Sequence, residues 1–190
     1  KTEPEIRVAL TDSDFQFVYH DSVTISLNGE ETVYEAEALR GRNEIISIPE
    51  QEGGILIPSI HRQCGTPSYG GRLEIRPCEE GLLAINILPL EKYLEAVVPS
   101  EMPSTYEKEA LKAQAVCART YAWKQMQGSR LHEYGADVDD SVSYQVYQNV
   151  APQESTAKAV RETEGMILSQ NGQPVEAYYF FYLGGCDEHG

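Results

Sequence analysis

An α+β fold is predicted for this 190-residue chain by three features: a period-two apolar pattern through about Ile87, an Ala-rich helical segment after Pro89, and an Asn-Gly hairpin signal near the end. Residues 1–88 are assigned to a β-rich lobe of short strands and hairpins. Residues 89–190 are assigned to a helical and mixed lobe around a central Ala-rich helix. No composition shift marks a linker at Leu88, so two lobes sharing one core and two separate domains both stay open.

The β-rich half starts with Ile6, Val8 and Leu10, then Phe15, Phe17 and Tyr19, then Val23, Ile25 and Leu27, closing on the turn pair Asn28-Gly29. Further short strands are expected at Ile45 to Ile48, Ile55 to Ile57, Leu73 to Ile75 and Leu82 to Ile87. After Pro89, Leu90, Tyr93, Leu94, Val97 and Val98 recur at helical spacing, and Pro99 is expected to stop that helix. Ser104 and Glu107 have capping-box spacing ahead of the Ala-rich helix, which should run to about Gln127 with Gly128 as its stop. Leu111, Ala115, Ala118 and Ala122 mark its buried face. The polar stretch from Gly128 to Asn149 is read as a long loop lining a site. A short helix over about Glu154 to Glu164 then precedes a hairpin turning at Asn171-Gly172, its arms Met166 to Ser169 and Pro174 to Phe181.

Composition narrows the function. Hydrophobic residues at 41% fill a core without help from metals, and the chain as given is expected to be soluble. With 30 acidic against 15 basic residues, the net charge of −15 repels phosphates, so no nucleic acid is expected as partner. No apolar run reaches the roughly 20 residues of a membrane span, and Lys1-Thr2-Glu3-Pro4 lacks a signal-peptide core. A leader or anchor upstream stays open. Cys64, Cys78, Cys117 and Cys186 form no C-x-x-C pair, so a structural zinc site is not expected. Buried free thiols are the expected state of Cys64 and Cys78, with pairing left open for an oxidising compartment.

Glu101 is the candidate acid. It lies in Pro99-Ser100-Glu101-Met102-Pro103, where two prolines stiffen the backbone, beside apolar Val97, Val98 and Met102. Desolvation there would raise its pKa, which suits a general acid. The competing reading is an ordinary surface glutamate near a helix start, favoured by the helix dipole.

The run from Leu90 through Pro99-Ser100-Glu101-Met102-Pro103, continued by Glu109 to Val116 and Ala118-Arg119-Thr120-Tyr121-Ala122, resembles the stage II sporulation protein D and amidase-enhancer family. The resemblance resumes at Gln145-Val146-Tyr147, at Ala159-Val160, at Thr163-Glu164-Gly165 and at Ala177 to Phe180, covering about half of the chain. Gly65-Thr66-Pro67-Ser68-Tyr69-Gly70-Gly71 resembles the sporulation branch. The resemblance implies a lytic transglycosylase acting on peptidoglycan glycan strands, with Glu101 as its single acid and base and no cofactor. It also implies a setting outside the cytoplasmic membrane during engulfment, tethered by an N-terminal segment absent from this sequence. Other engulfment proteins, including a cell-wall amidase, would be the partners.

Lys112, Gln114, Arg119, Tyr121, Gln145 and Tyr147 are the candidate substrate-binding residues, since sugars need planar hydrogen-bonding groups and aromatic faces. For Gln114 and Arg119 a structural role, satisfying buried backbone groups and holding the Glu101 loop, is equally open. Some relatives carry a Cys/His metal cluster before the Q-V-Y segment; Asp137, Asp139, Asp140 and Ser143 stand there, so no metal is expected, and His132 is expected to be solvated. Leu183-Gly184-Gly185-Cys186 stands where the family shows Ser-Gly-Gly. A Cys/His hydrolase built on Cys117 with His20, His61, His132 or His189 is disfavoured by the apolar neighbours of that cysteine. The serious rival is a non-catalytic glycan-binding enhancer of a cell-wall amidase.

Overall fold

The computed structural model describes residues 3–179. The Leu183-to-Cys186 segment, His189 and the far end of the last predicted strand lie outside the described residues.

The chain runs β1 (Glu5–Ala9), β2 (Tyr19–His20), β3 (Ser22–Leu27), β4 (Glu30–Glu35), α1 (Ala36–Leu39), β5 (Ile46–Ile48), β6 (Ile55–Leu56), β7 (Ser68–Tyr69), β8 (Arg72–Pro77) and β9 (Leu82–Pro89). It continues with α2 (Leu90–Glu101), α3 (Lys108–Gly128), a 3-10 helix Arg130–Tyr134, β10 (Val138–Asp139), α4 (Glu154–Glu162), β11 (Ser169–Gln170) and β12 (Gln173–Pro174). This is the expected α+β arrangement, with the period-two pattern first and the helices after it.

One sheet has the order β10-β1-β9-β8-β5, with β2 also pairing with β9, and a second has the order β4-β3-β6-β7. The central strand β9 is apolar at nearly every position because both of its faces are covered. Leu82, Ala84 and Leu88 enter the large core, whereas Leu83, Ile85 and Ile87 pack with Ala9 and Ala136 on the other side. That large core joins Ile6, Val8 and Ile75 from the sheet to Tyr93, Val97, Ala115, Ala118 and Val160 from the helices. The two halves of the chain therefore contribute to one cluster of buried side chains.

Both Asn-Gly pairs form their turns, with positive φ at Asn28, Gly29, Asn171 and Gly172. Leu27 faces Glu30 across the first and Gln170 faces Gln173 across the second. Leu111, Ala115, Ala118 and Ala122 are buried as their spacing predicts.

Several elements differ from expectation. Phe15 and Phe17 lie in a turn rather than a strand: Asp12 accepts hydrogen bonds from the backbone N–H of Asp14 and Gln16, Phe15 has positive φ, and Phe17 is exposed. Local side-chain bonding outcompetes the apolar alternation there. Helix α2 passes through Pro99 and ends at Glu101, because proline in a last turn removes one bond while Met102 N–H still reaches Val98 O. No side-chain capping box forms at the start of α3; its N-cap is Glu107, and Ser104 lies a turn upstream. The helix includes Gly128, and the following Ser129 caps the 3-10 helix by accepting from Leu131 N–H. The expected long loop therefore contains a 3-10 turn and the short strand β10, which pairs in parallel with β1. Cys64 and Cys78 are free thiols but not buried ones; Cys64 is exposed. His132 bonds Asp137 rather than only solvent. Among the described residues no helix is long and apolar enough to cross a membrane.

Candidate active site

Strand β9 runs directly into α2, so the sheet fixes the start of the helix and the helix delivers its last residue, Glu101, to the surface. The preceding Ser100 holds the neighbouring segment. Its hydroxyl donates to Ala96 O at 2.8 Å and accepts from the N–H groups of Asn149 and Val150, each at 3.1 Å. One residue on, the Glu101 carboxylate accepts from Val146 N–H at 2.6 Å. Consecutive side chains of the helix end are thus bound to one strap, residues 145–150.

That strap is anchored by its flanking side chains. Gln145 is fully buried, donating to Ala118 O at 3.1 Å and to the Tyr179 hydroxyl at 2.9 Å, while its Oε1 accepts from the Tyr93 hydroxyl at 3.0 Å. Tyr147 is fully buried too; its hydroxyl donates to Asn86 Oδ1 at 2.6 Å and its ring packs 5.1 Å from that of Tyr93. With the side chains of 145 and 147 turned inward, the N–H of the residue between them is presented to the carboxylate.

Burial pushes the Glu101 carboxyl above its ordinary value of 4.5, and the Val146 N–H, which favours the ionised form, opposes this without reversing it. A helix C-terminus, where the dipole is negative, is also poor company for a carboxylate. The position is thus the opposite of the helix start considered from sequence. The neighbouring phenols of Tyr93 and Tyr179 are raised by burial first, with the Glu101 charge adding to the effect.

Two hollows meet at Glu101. One, about 460 Å³, is lined by Pro99 to Thr105 with Val150 and Gln153. The other, about 290 Å³, is lined by Glu101, Tyr121, Val142, Ser143, Tyr144, Tyr178 and Tyr179. The second shares Tyr121, Ser143, Tyr144 and Tyr178 with a larger hollow of about 660 Å³ that reaches Lys124 and Arg130. Glu101 is the only carboxylate on the two hollows it joins, among the described residues.

Of the candidate binding residues, the structure brings Tyr121 into the groove with Glu101. Gln145 and Tyr147 lie behind it and support the strap. Arg119 is 1% exposed and is held by Glu91 through two bonds of 2.8 and 2.7 Å, with Val160 O, Met166 O and Thr163 Oγ1 as further acceptors. Lys112 pairs with Glu109 at 3.3 Å and Glu162 at 3.9 Å, facing α4. Gln114 is buried, and its Nε2 has no partner among the described residues. Sequence reasoning did not assign Ser100, Tyr144, Tyr178, Tyr179 or the exposed Val142 to the site. The adjacent aromatics near the chain end were the available signal for the last two tyrosines. Among the described residues no cluster of three or more His, Cys, Asp or Glu side chains is placed to hold a metal ion.

Residues 78–169, which contain Glu101 and the strap, match the family model described as Stage II sporulation protein. The chain is 39% identical over 120 residues to stage II sporulation protein D of Bacillus subtilis, covering 56% of this chain and 35% of the relative. It is 39% identical over 95 residues to the amidase enhancer of the same organism, covering 50% of this chain and 12% of the relative. An uncharacterized protein of Brachyspira hyodysenteriae is 30% identical over 199 residues, covering 95% of this chain and 52% of the relative. The chain therefore spans only part of each of these curated relatives. The domain match and the homology support the stage II sporulation protein family, whose named homologues are linked to sporulation and to amidase enhancement.

Proposed function

We propose that this chain is a lytic transglycosylase that cleaves the bond between N-acetylmuramic acid and N-acetylglucosamine in peptidoglycan glycan strands. The observation that carries the reading is one desolvated carboxyl, Glu101, at the meeting of two hollows in which no second carboxylate faces it among the described residues. A hydrolase of the common type uses two carboxyl groups flanking the bond, whereas an internal nucleophile requires only one group to serve both proton transfers. Protonated Glu101 donates to the glycosidic oxygen, which leaves as the hydroxyl of N-acetylglucosamine. The Val146 N–H stabilises the carboxylate formed. That carboxylate then takes the proton of the muramyl C6 hydroxyl as its oxygen bonds to the anomeric carbon, closing a 1,6-anhydro ring and restoring the acid. Tyr121, Tyr144 and Tyr178 supply aromatic faces and hydroxyls for the sugars.

Digestion of peptidoglycan followed by mass spectrometry tests this: wild type should release 1,6-anhydromuropeptides, and Glu101→Gln should slow release by about 10²–10⁴-fold. Undiminished release by the variant would remove Glu101 from the chemistry. Activity should also fall as pH rises through the raised Glu101 pKa, because the donating form is then lost.

The similarity to an amidase enhancer favours a second reading, a glycan-binding module that stimulates an amidase without turnover. Binding to glycan strands with no anhydro ends would favour it. In either reading the protein works outside the cytoplasmic membrane, held there by an N-terminal membrane anchor. Peptidoglycan, an amidase and other engulfment proteins are its partners during sporulation.

A further inference from the structure

Besides Asn86 and Ser68, one turn of the β-rich half grips the strap that meets Glu101. Arg62 and Gly65 exchange backbone hydrogen bonds of 2.8 and 2.9 Å, closing a tight turn at residues 62–65. Its next two residues hold the far end of the strap: Gln63 N–H donates to Asn149 Oδ1 at 2.9 Å, Cys64 N–H to Asn149 O at 3.0 Å and Cys64 Sγ to Gln148 O at 3.3 Å. The Arg62 side chain holds Asp140, ahead of the strap. Its Nη2 lies 2.6 Å from Asp140 Oδ2, and both side chains are wholly inaccessible to solvent.

Asp140 is further fixed by Thr11, whose N–H and hydroxyl donate to Oδ1 at 2.9 and 2.5 Å. Arg62 also donates to Thr11 O, Asp12 O and His61 O, and its guanidinium lies 4.1 Å above the Phe15 ring. Asp140 O in turn accepts from Tyr147 N–H at 3.4 Å, closing the loop that contains Val146. Both ends of the segment that offers its N–H to Glu101 are therefore held by residues 62–64.

We infer that the buried Arg62–Asp140 ion pair is a positioning element for Glu101: it fixes the strap so that the Val146 N–H stays on the carboxylate in the orientation used for proton transfer. The inference deepens the proposed glycan-cleaving site and rests on that reading for its meaning, but not for its test. The groups facing Glu101 are Tyr93 of its own helix, Tyr121 of α3, Tyr144 of the strap loop and Tyr178 and Tyr179 of the C-terminal segment. Burial raises the phenols of Tyr93, Tyr121 and Tyr179, and of the two influences on the Glu101 carboxyl, burial and the Val146 N–H, the hydrogen bond is the one that the strap's position controls.

The test is a titration of the Glu101 carboxyl by carbon-13 NMR, assigned with Glu101→Gln, in wild type, in Arg62→Met/Asp140→Asn and in Arg62→Lys. The double variant removes a positive and a negative charge together, and asparagine still accepts from Thr11, so long-range electrostatics change little. Its titration midpoint should rise by about one pH unit, a tenfold change in proton affinity, as the bond favouring the ionised form loosens. Arg62→Lys keeps the charge but not the fork of donors, so its midpoint should rise by less. A folded double variant, verified by near-ultraviolet dichroism, with an unchanged or lower midpoint overturns the inference. Should the double variant not fold, Arg62→Lys decides: a raised midpoint supports the positioning role and an unchanged one overturns it. A wild type that releases no anhydro ends, yet whose Glu101 responds to these changes as described, retains the positioning role and loses only the proposed reaction.

Discussion

Replacing Arg119 by methionine separates a structural role from a sugar-binding one. The guanidinium is 1% exposed and bonds both oxygens of Glu91, whose side chain is 19% exposed, while Val160 O, Met166 O and Thr163 Oγ1 take its remaining donors. It thereby connects the first turn of α2 to the end of α4 through the middle of α3. Removing one partner of a buried pair costs about 3–5 kcal/mol. Because Glu91 is partly exposed it recovers some hydration, which places the expected loss near the lower figure, about 3 kcal/mol. For a chain of this size each kcal/mol lowers the melting temperature by roughly 2–4 °C, so the variant should melt roughly 6–12 °C below wild type. Thermal and urea unfolding followed by circular dichroism measure this, with an unchanged urea slope expected if only stability is affected. A melting temperature within about 2 °C of wild type, together with lost binding to glycan strands, would refute the reasoning and return Arg119 to the substrate.

Glu101→Gln should raise the melting temperature at neutral pH. The folded carboxyl has a pKa above its ordinary 4.5, so its resistance to ionisation costs nothing below that value and its full amount above the folded pKa. Calorimetry across pH should show variant and wild type converging in acid and separating as pH rises; a constant or reversed difference would contradict the burial argument. Tyr147→Phe leaves the buried Asn86 Oδ1 without its 2.6 Å donor, and chemical denaturation should register a loss of about 1–3 kcal/mol with glycan affinity unchanged. Gly71 has φ near +71°, and an added Cβ would lie 2.2 Å from Ile87 O, so Gly71→Ala should destabilise the β8–β9 pairing, read as faster amide exchange in those strands.

The legible part of the fold was the part fixed by short-range patterns. Alternation located β3, short apolar runs located β8 and β9, the Asn-Gly pairs located both hairpin turns, and alanine spacing identified the buried face of α3. Misreadings arose where one local signal competed with another. Phe15 and Phe17 alternate like a strand, but the Asp12 side chain captures the intervening N–H groups and turns the chain. Ser104 and Glu107 carry capping spacing, yet the helix starts after Glu107, with Ala110 and Leu111 donating to Glu107 O. At the candidate site, Glu101 was singled out by its stiff, apolar neighbourhood together with the family resemblance, and Tyr121 by its aromatic face and the same resemblance. What was not legible depends on contacts distant in sequence: Arg62 meets Asp140 across 78 positions, and Gln145 and Tyr147 turn inward to meet Tyr93 and Asn86. Their residue types suit sugars as well as they suit a buried network, so type alone could not assign them.

The proposed reaction asks one carboxyl to serve as both acid and base, and the surroundings of Glu101 suit both roles. A proton donor needs its neutral form favoured before transfer, and a proton acceptor needs its anion tolerated afterwards. Burial at the C-terminus of α2 supplies the first condition. The 2.6 Å bond from Val146 N–H supplies the second, because it strengthens as charge develops on the oxygen. A second carboxylate in the groove would upset this balance by raising the pKa further without giving the anion a partner, whereas a nearby cation would hold Glu101 ionised and unable to donate. Lys112, a candidate for substrate contact, pairs with Glu162, and Arg119, for which substrate contact and a structural role were equally open from sequence, pairs with Glu91. The groove wall beside Glu101 is formed by Tyr121, Tyr144, Tyr178 and Tyr179 with Val142 and Ser143, which under the proposed reaction offer a sugar aromatic faces and hydroxyls without placing a cation on the carboxyl.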